Sequence, residues 1–133
     1  MEEINPKQLS PLQLAYIGDA VYELYVRNRL IKEHPDMPPH KLHIASSKRV
    51  SAKAQSNSML SLEEKLSEEE LTIYKRGRNA KSATVPKNAD VRDYRHATGF
   101  EALIGYVYFT KNEDRLQELM EIAYINSLNT NKD

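Results

Sequence analysis

The sequence predicts an all-α protein, and three observations support this fold class. Hydrophobic residues recur at helical spacing in several long segments, only four glycines occur in 133 residues, and no alternating run is long enough for a sheet. Hydrophobic residues make up 40% and charged residues 29%, as in soluble globular proteins. We expect one domain over residues 1–133, with its core at about 9–128.

The first helix is predicted over residues 11–32. Ser10 is a plausible N-cap, Pro11 suits the first helical position, and the proline-rich segment 35–39 ends the periodic pattern. Nearly every face of this segment carries apolar side chains. The pattern therefore predicts the central, buried helix of the fold.

The rest of the chain divides into further helices and one loop. Residues 40–66 are typical of one or two helices, and Ser67 with Glu70 forms a capping box for a short helix reaching about residue 76. Loop-forming residues concentrate in 77–90. A second mostly apolar helix is predicted over 91–110. Asn112 is a candidate N-cap of a last helix ending near residue 126, and a frayed tail is expected over 129–133.

Charge and composition narrow the function classes. Nineteen basic and nineteen acidic residues cancel, but seven Lys or Arg lie within residues 75–95 against two Asp, which predicts a basic face on a neutral protein. The absence of cysteine excludes disulfides and thiolate metal sites. Neither a signal segment nor a membrane-spanning run is evident, so we expect a cytoplasmic protein without a membrane partner.

Two carboxylates lie on the largely apolar stripes of the two most hydrophobic helices. Asp19 shares a face with Ala15 and Tyr22, and Glu101 shares one with Ala97 and Ile104. Burying an unpaired carboxylate costs several kcal/mol, so each acid needs a partner. One reading is that both acids converge on a Mg²⁺ ion, and the other is that each forms an ion pair with a nearby Lys or Arg.

The residues around these acids resemble the ribonuclease III family. Tyr-Ile-Gly-Asp-Ala-Val at 16–21 is similar to half of its signature motif, and Phe-Glu-Ala-Leu-Ile-Gly at 100–105 is similar to its second acidic motif. Segments 46–53, 76–82 and 86–88 resemble the Mini-ribonuclease III branch in particular. The resemblance covers most of residues 12–109. It implies a helical ribonuclease III-like catalytic domain without a separate double-stranded-RNA-binding domain.

The resemblance also implies an activity. It predicts an endoribonuclease that cleaves double-stranded or structured RNA, with Asp19 and Glu101 as catalytic residues and ligands of Mg²⁺, for which Mn²⁺ would substitute. The family has further acids where this chain has Ala15 and Thr98, and Glu23 is a candidate replacement ligand. The expected substrate is the 23S ribosomal RNA precursor. A ribosomal protein is a candidate partner.

The predicted RNA contacts lie around the basic segment. A flexible loop beginning at Gly77 could follow the phosphates of a duplex, although the same charges also suit a solvated loop after a helix. The predicted RNA-binding residues are Lys53, Arg76, Arg78, Asn79, Lys81, Ser82, Lys87 and Asn88. We also expect a homodimer, because both apolar helices have more hydrophobic surface than one core needs; the other reading is a monomer in which these helices are central to a bundle. The resemblance implies a dimer seam around the signature helix, near Tyr16 and Tyr22.

One alternative is a protein that has the fold of this family without its catalytic activity. The chain could be a non-catalytic helical RNA-binding protein of ribosome biogenesis, because two of the family's acids are absent. Retention of Asp19 and Glu101 in apolar surroundings argues against this alternative, since a degenerate site has no reason to keep costly buried acids.

Overall fold

The computed structural model describes residues 3–81, 85, 87 and 90–129, and within these ranges it is helical with no strand. The prediction of an all-α fold is confirmed. The α-helices are α1 (Pro11–Glu33), α2 (Pro39–Val50), α3 (Ala52–Leu62), α4 (Glu68–Asn79), α5 (Val91–Phe109) and α6 (Glu113–Asn126). Short 3₁₀ turns occupy Pro6–Gln8 and Glu63–Lys65. None of the described helices is long and apolar enough to span a membrane.

The helix starts follow the capping residues of the sequence. Ser10 and Ser67 each accept a hydrogen bond from the backbone N–H three residues later and form complete capping boxes. The sequence predicted the capping box at Ser67 and only an N-cap at Ser10. Ser51 divides the predicted 40–66 segment into two helices, because its backbone is extended and its side chain caps α3 through the Ala54 N–H. Asn112 caps α6 in the same way.

The predicted end of the fourth helix was wrong. Helix α4 continues through Gly77 to Asn79, so Arg76 and Arg78 lie on a helix and not in a flexible loop. Gly77 is buried against α5, where a Cβ atom would come within 2.8 Å of the Ala102 Cβ and 2.9 Å of the Gly99 Cα. The glycine permits close helix packing here, whereas the sequence alone suggested a turn.

Helix α5, and not α1, is the buried centre of the fold. Helix α5 packs against α1, α3, α4 and α6, and its residues from Ala102 to Val107 are all buried. Helix α1 covers α5 with one face and leaves Tyr16, Leu24 and Ile31 exposed by 82%, 62% and 53%. The all-round apolar pattern of α1 therefore reflects a second apolar face that this chain does not cover.

Tyr22 was predicted near a dimer seam, and the structure corrects this. Its side chain is fully buried in the core of its own chain, where its ring packs edge-on against Phe100 with centroids 4.9 Å apart. Tyr16, six residues earlier on α1, faces outward. The periodicity of α1 did not say which of its two apolar faces points inward.

Helices α1 and α5 cross at two glycines. A Cβ atom on Gly18 would overlap the backbone carbonyl of Glu101 and lie 2.8 Å from the Gly105 nitrogen. A Cβ atom on Gly105 would overlap the Leu14 carbonyl in the same way. The crossing thus brings the two backbones into direct contact, closer than any other residue type allows. This contact sets the distance between the acids that flank the glycines.

Candidate active site

The crossing of α1 and α5 places Asp19 beside Glu101. Asp19 follows Gly18 directly, and Glu101 lies one turn before Gly105, so both side chains emerge where the backbones touch. The two carboxyl groups interact by charge and by a hydrogen bond. The structure therefore brings the two acids together, and their convergence on a cation stays a prediction.

The environment of Glu101 disfavours its charged form. Burial is the largest cause, followed by the negative charge of Asp19 and the hydrogen bond with Asp19, and together they raise the pKa of Glu101 to about 8. A hydrogen bond from Gln55 acts in the opposite direction. Two carboxylates in contact resist simultaneous ionisation unless a positive charge lies between them. A positive charge between Asp19 and Glu101 would therefore favour the ionised form of both carboxyl groups.

The two acids differ in exposure, contrary to the expectation that both are buried. Glu101 is half-buried, whereas Asp19 is exposed on the outer edge of α1. Among the described residues neither acid forms an ion pair with Lys or Arg. The alternative reading, in which each acid is neutralised by a nearby basic residue, is therefore not what the structure contains.

Glu23, the remaining candidate ligand, already forms an ion pair with Arg27. Glu23 is half-buried one turn after Asp19, and its charge contributes to the raised pKa of Glu101. Its Oε2 atom accepts a hydrogen bond of 3.0 Å from the Arg27 Nε atom, so it is already paired. Ala15 is buried, and the Thr98 hydroxyl donates to the Tyr94 carbonyl oxygen at 3.0 Å.

The donor set suits a hydrated divalent cation. In the part of the chain that the structure describes, no three His, Asp or Glu side chains cluster as a closed metal cage. Mg²⁺ is commonly held by one or two carboxylates, retains several waters, and completes its shell with substrate phosphates. A pair of neighbouring carboxyl groups beside a buried amide, with one acid open to solvent, fits that kind of site.

Gln55 is a site residue that the sequence did not reveal. It lies on α3, is 1% exposed, and its Nε2 atom donates a hydrogen bond of 3.2 Å to Glu101 Oε2. A single glutamine in an Ala- and Ser-rich helix gives no periodic or spacing signal. Only the packing of α3 against α5 brings this amide to the carboxylate pair.

The predicted RNA-binding residues lie at the end of α4 and beyond it. Arg76, Asn79, Lys81, Lys87 and Lys53 are exposed. Arg78 is half-buried, with its guanidinium 5.7 Å from the centre of the Tyr74 ring and its Nε donating to Asn79 Oδ1 at 3.1 Å. Ser82 and Asn88 lie outside the described residues.

Helix α5 adds Arg92 and Arg95 to these basic residues at the end of α4, and we call the combined set the basic surface. Arg95 lines a cleft together with Arg78, Lys81 and Thr98, and Arg92 lines the adjoining depression. Arg92 and Arg95 are three residues apart, so helical spacing would have placed both on one face of α5. The Tyr74 hydroxyl is hydrogen-bonded to His96 Nδ1, and burial and then the charges of Arg92 and Arg78 lower the pKa of His96.

Residues 12–112 match the ribonuclease III domain family, a range that includes both acids and the basic surface. The chain belongs to this family. It is 51% identical over 120 residues to Mini-ribonuclease 3 of Brevibacillus brevis, covering 90% of this chain and 89% of that one. It is 52% identical over 116 residues to Mini-ribonuclease 3 of Enterococcus faecalis, covering 86% and 87%. The resemblance to the Mini-ribonuclease III branch is therefore confirmed.

A solved structure supports the same assignment. The crystal structure of a Fusobacterium nucleatum protein superposes with a TM-score of 0.80 at 32% identity, covering 91% of this chain and 96% of that chain. The ribonuclease III family acts as a dimer on double-stranded RNA and is generally dependent on a divalent metal. As a member of this family, the chain is an endoribonuclease.

Proposed function

We propose that this protein cleaves double-stranded RNA by Mg²⁺-dependent hydrolysis at Asp19 and Glu101, with Mn²⁺ as a substitute metal. The observation that carries this proposal is the contact between the two carboxylates without a neutralising cation among the described side chains. A bound divalent cation would supply a Lewis acid and an activated water for phosphodiester hydrolysis. The substrate that we propose is the 23S ribosomal RNA precursor.

The different exposures of the two acids suit different tasks. Glu101 is held from the protein side by α5 and Gln55, so it can anchor the cation in a fixed position. Asp19 lies at the surface, where a phosphate of a docked duplex can approach. Glu23, paired with Arg27, is a further candidate that would need to leave this ion pair to become a ligand.

The basic surface is the proposed platform for the duplex. Its described cations come from α4, the segment after α4 and the start of α5, and they are Arg76, Arg78, Lys81, Lys87, Arg92 and Arg95. RNA duplexes are bound largely through phosphates and 2′-hydroxyls, so arginines and lysines along one surface suffice for shape-dependent recognition. Lys53 on α3 is a separate candidate contact.

We further propose that the protein acts as a homodimer through the uncovered face of α1. Leu24 is 62% exposed and lines an open groove between α1 and α6 with Val21 and Met120, and Tyr16 is 82% exposed. An isologous dimer would relate two active sites by a two-fold axis, as the two antiparallel strands of a duplex require. A ribosomal protein is a candidate partner for substrate presentation.

Asp19→Asn tests the activity. The amide preserves the shape of the side chain and removes the charge that binds metal, so cleavage of a stem-forming RNA in Mg²⁺ should fall by about 100-fold or more, with unchanged duplex binding. Asp36→Asn is the matched control, because Asp36 is exposed in the connection between α1 and α2. Near-parental cleavage by Asp19→Asn would contradict the assignment.

Two comparisons separate the remaining alternatives. A non-catalytic RNA-binding protein would bind the duplex but leave it intact in Mg²⁺ and in chelator alike. The proposed substrate is tested by comparing cleavage of the 23S precursor stem with cleavage of a duplex of equal length and shuffled sequence. A preference for the precursor stem supports the ribosomal substrate, and equal rates contradict it.

A further inference from the structure

Gln55 places an amide in the protein interior whose oxygen atom has no hydrogen-bond partner among the described residues. The residue lies one turn after the N-cap of α3 and is 1% exposed. Its Nε2 atom donates to Glu101 Oε2 at 3.2 Å, whereas its Oε1 atom is buried without a hydrogen-bond partner among the described residues. An unpaired buried amide oxygen costs free energy, and such atoms in native proteins call for an explanation.

The orientation of this amide follows from the chemistry of its neighbour. A carboxylate that binds a cation is ionised and only accepts hydrogen bonds, so in the cation-bound state the NH₂ group of Gln55 must face Glu101, as it does in the structure. The Oε1 atom is bonded to the same carbon as Nε2, so it lies in the same buried region as the hydrogen bond between Nε2 and Glu101. An acceptor at this position needs a donor, and the described side chains do not supply one. Water molecules bound to a cation are strong donors.

We propose that Gln55 is a positioning residue of the cation site, holding the Glu101 carboxylate through Nε2 and accepting a hydrogen bond from a cation-bound water through Oε1. The inference rests on the proposed function, because it assumes that Asp19 and Glu101 bind the cation. It assigns to α3 a share of a site otherwise formed by α1 and α5. Partners of this kind orient metal ligands and contribute to metal affinity.

The test measures binding of Mn²⁺ to the metal-free protein without RNA, by calorimetry or by the electron paramagnetic resonance signal of free Mn²⁺. Gln55→Met keeps the length and volume of the side chain and removes both the donor and the acceptor. We expect Mn²⁺ affinity to fall by about 10- to 100-fold. Gln55→Leu, a smaller apolar variant, should show the same loss and guards against a misfolded Met variant.

Asn57 provides the matched control on the same helix. Its Nδ2 atom donates to the Ser127 carbonyl oxygen at 3.3 Å, on the side of α3 that faces the end of α6. Asn57→Leu should change thermal stability and leave Mn²⁺ affinity unchanged. If Gln55 merely fills the core, its variants will behave like Asn57→Leu, and the inference is overturned.

A second readout uses the active enzyme. The Mg²⁺ concentration that gives half-maximal cleavage should rise for Gln55→Met by a factor similar to its loss of Mn²⁺ affinity, and saturating Mg²⁺ should restore most of the rate. Mn²⁺ binding by Asp19→Asn distinguishes a failure of the proposed function from a failure of the role inferred for Gln55. If Asp19→Asn binds Mn²⁺ as tightly as the parent, the proposed function fails. If Asp19→Asn loses binding and both Gln55 variants keep it, only the role of Gln55 is refuted.

Discussion

Replacing Glu101 by Gln should stabilise the metal-free protein while abolishing cleavage. The pKa of Glu101 is raised from 4.5 to about 8 by burial and by Asp19. Between these two values the folded state binds more protons than the unfolded state, so stability falls as pH rises through this window. Glutamine stays neutral at every pH, and its side-chain oxygen can still accept the hydrogen bond from Gln55.

The expected gain depends on pH. At about 1.4 kcal/mol for each tenfold change in proton affinity, the raised pKa of Glu101 lowers the free energy of unfolding by up to about 4 kcal/mol at pH 8 and by about 1 kcal/mol at pH 5, relative to a side chain that stays neutral. Glu101→Gln should therefore raise the free energy of unfolding at pH 8 by up to about 4 kcal/mol, and at pH 5 by about 1 kcal/mol. At roughly 4 °C per kcal/mol, Tm at pH 8 should rise by up to about 16 °C.

Urea and thermal unfolding in chelator, at pH 5 and pH 8, measure this difference. Glu121→Gln, at an exposed position on α6, is the control and should stay within about 0.5 kcal/mol of the parent at both pH values. Added Mg²⁺ should stabilise the parent at pH 8 and stabilise Glu101→Gln far less, since binding to the folded state alone shifts unfolding. Equal gains at both pH values, or a loss at pH 8, would refute the reasoning.

Three further predictions concern packing, RNA binding and assembly. Gly18→Ala should lower the free energy of unfolding by about 1–3 kcal/mol in denaturant titrations, because the added Cβ forces α1 away from Glu101. The same displacement should slow cleavage. Unchanged stability would contradict the close crossing of α1 and α5. Arg78→Ala should reduce the log–log salt slope of duplex binding by about 0.9, the value for a B-form duplex, whereas Lys111→Ala, in the turn after the C-terminal end of α5, should leave it unchanged. Tyr16→Asp should convert a dimer into a species of 15.3 kDa in light scattering, and a parent that already has this mass would exclude the dimer.

The local features of the fold were predictable from sequence. Ser10, Ser67 and Asn112 were identified as caps, and each begins a helix in the structure. Capping needs only a side-chain oxygen and the backbone N–H groups a few residues later, so all the interacting groups lie within one short segment. The two acids were found through motifs, which are equally local.

The meaning of the glycines was decided by tertiary structure. Gly77 is typical of a loop in the sequence, yet it lies inside α4. A glycine is needed there because α5 passes too close for a side chain. A glycine is compatible with a turn and with a close helix crossing, and the residues beside it in sequence do not distinguish the two. The answer lies on α5, more than twenty residues later in the chain.

The environment of the active site was also decided by packing. The pattern of α1 showed apolar residues all round, but only the position of α5 determines that Tyr22 points inward while Tyr16 and Asp19 point outward. Gln55 reaches Glu101 across 46 positions of sequence, through the packing of α3 on α5. Sequence determined which chemical groups this protein carries and which helices hold them. The tertiary fold determined which groups meet, because contact, burial and a raised pKa arise between segments that are distant in the chain.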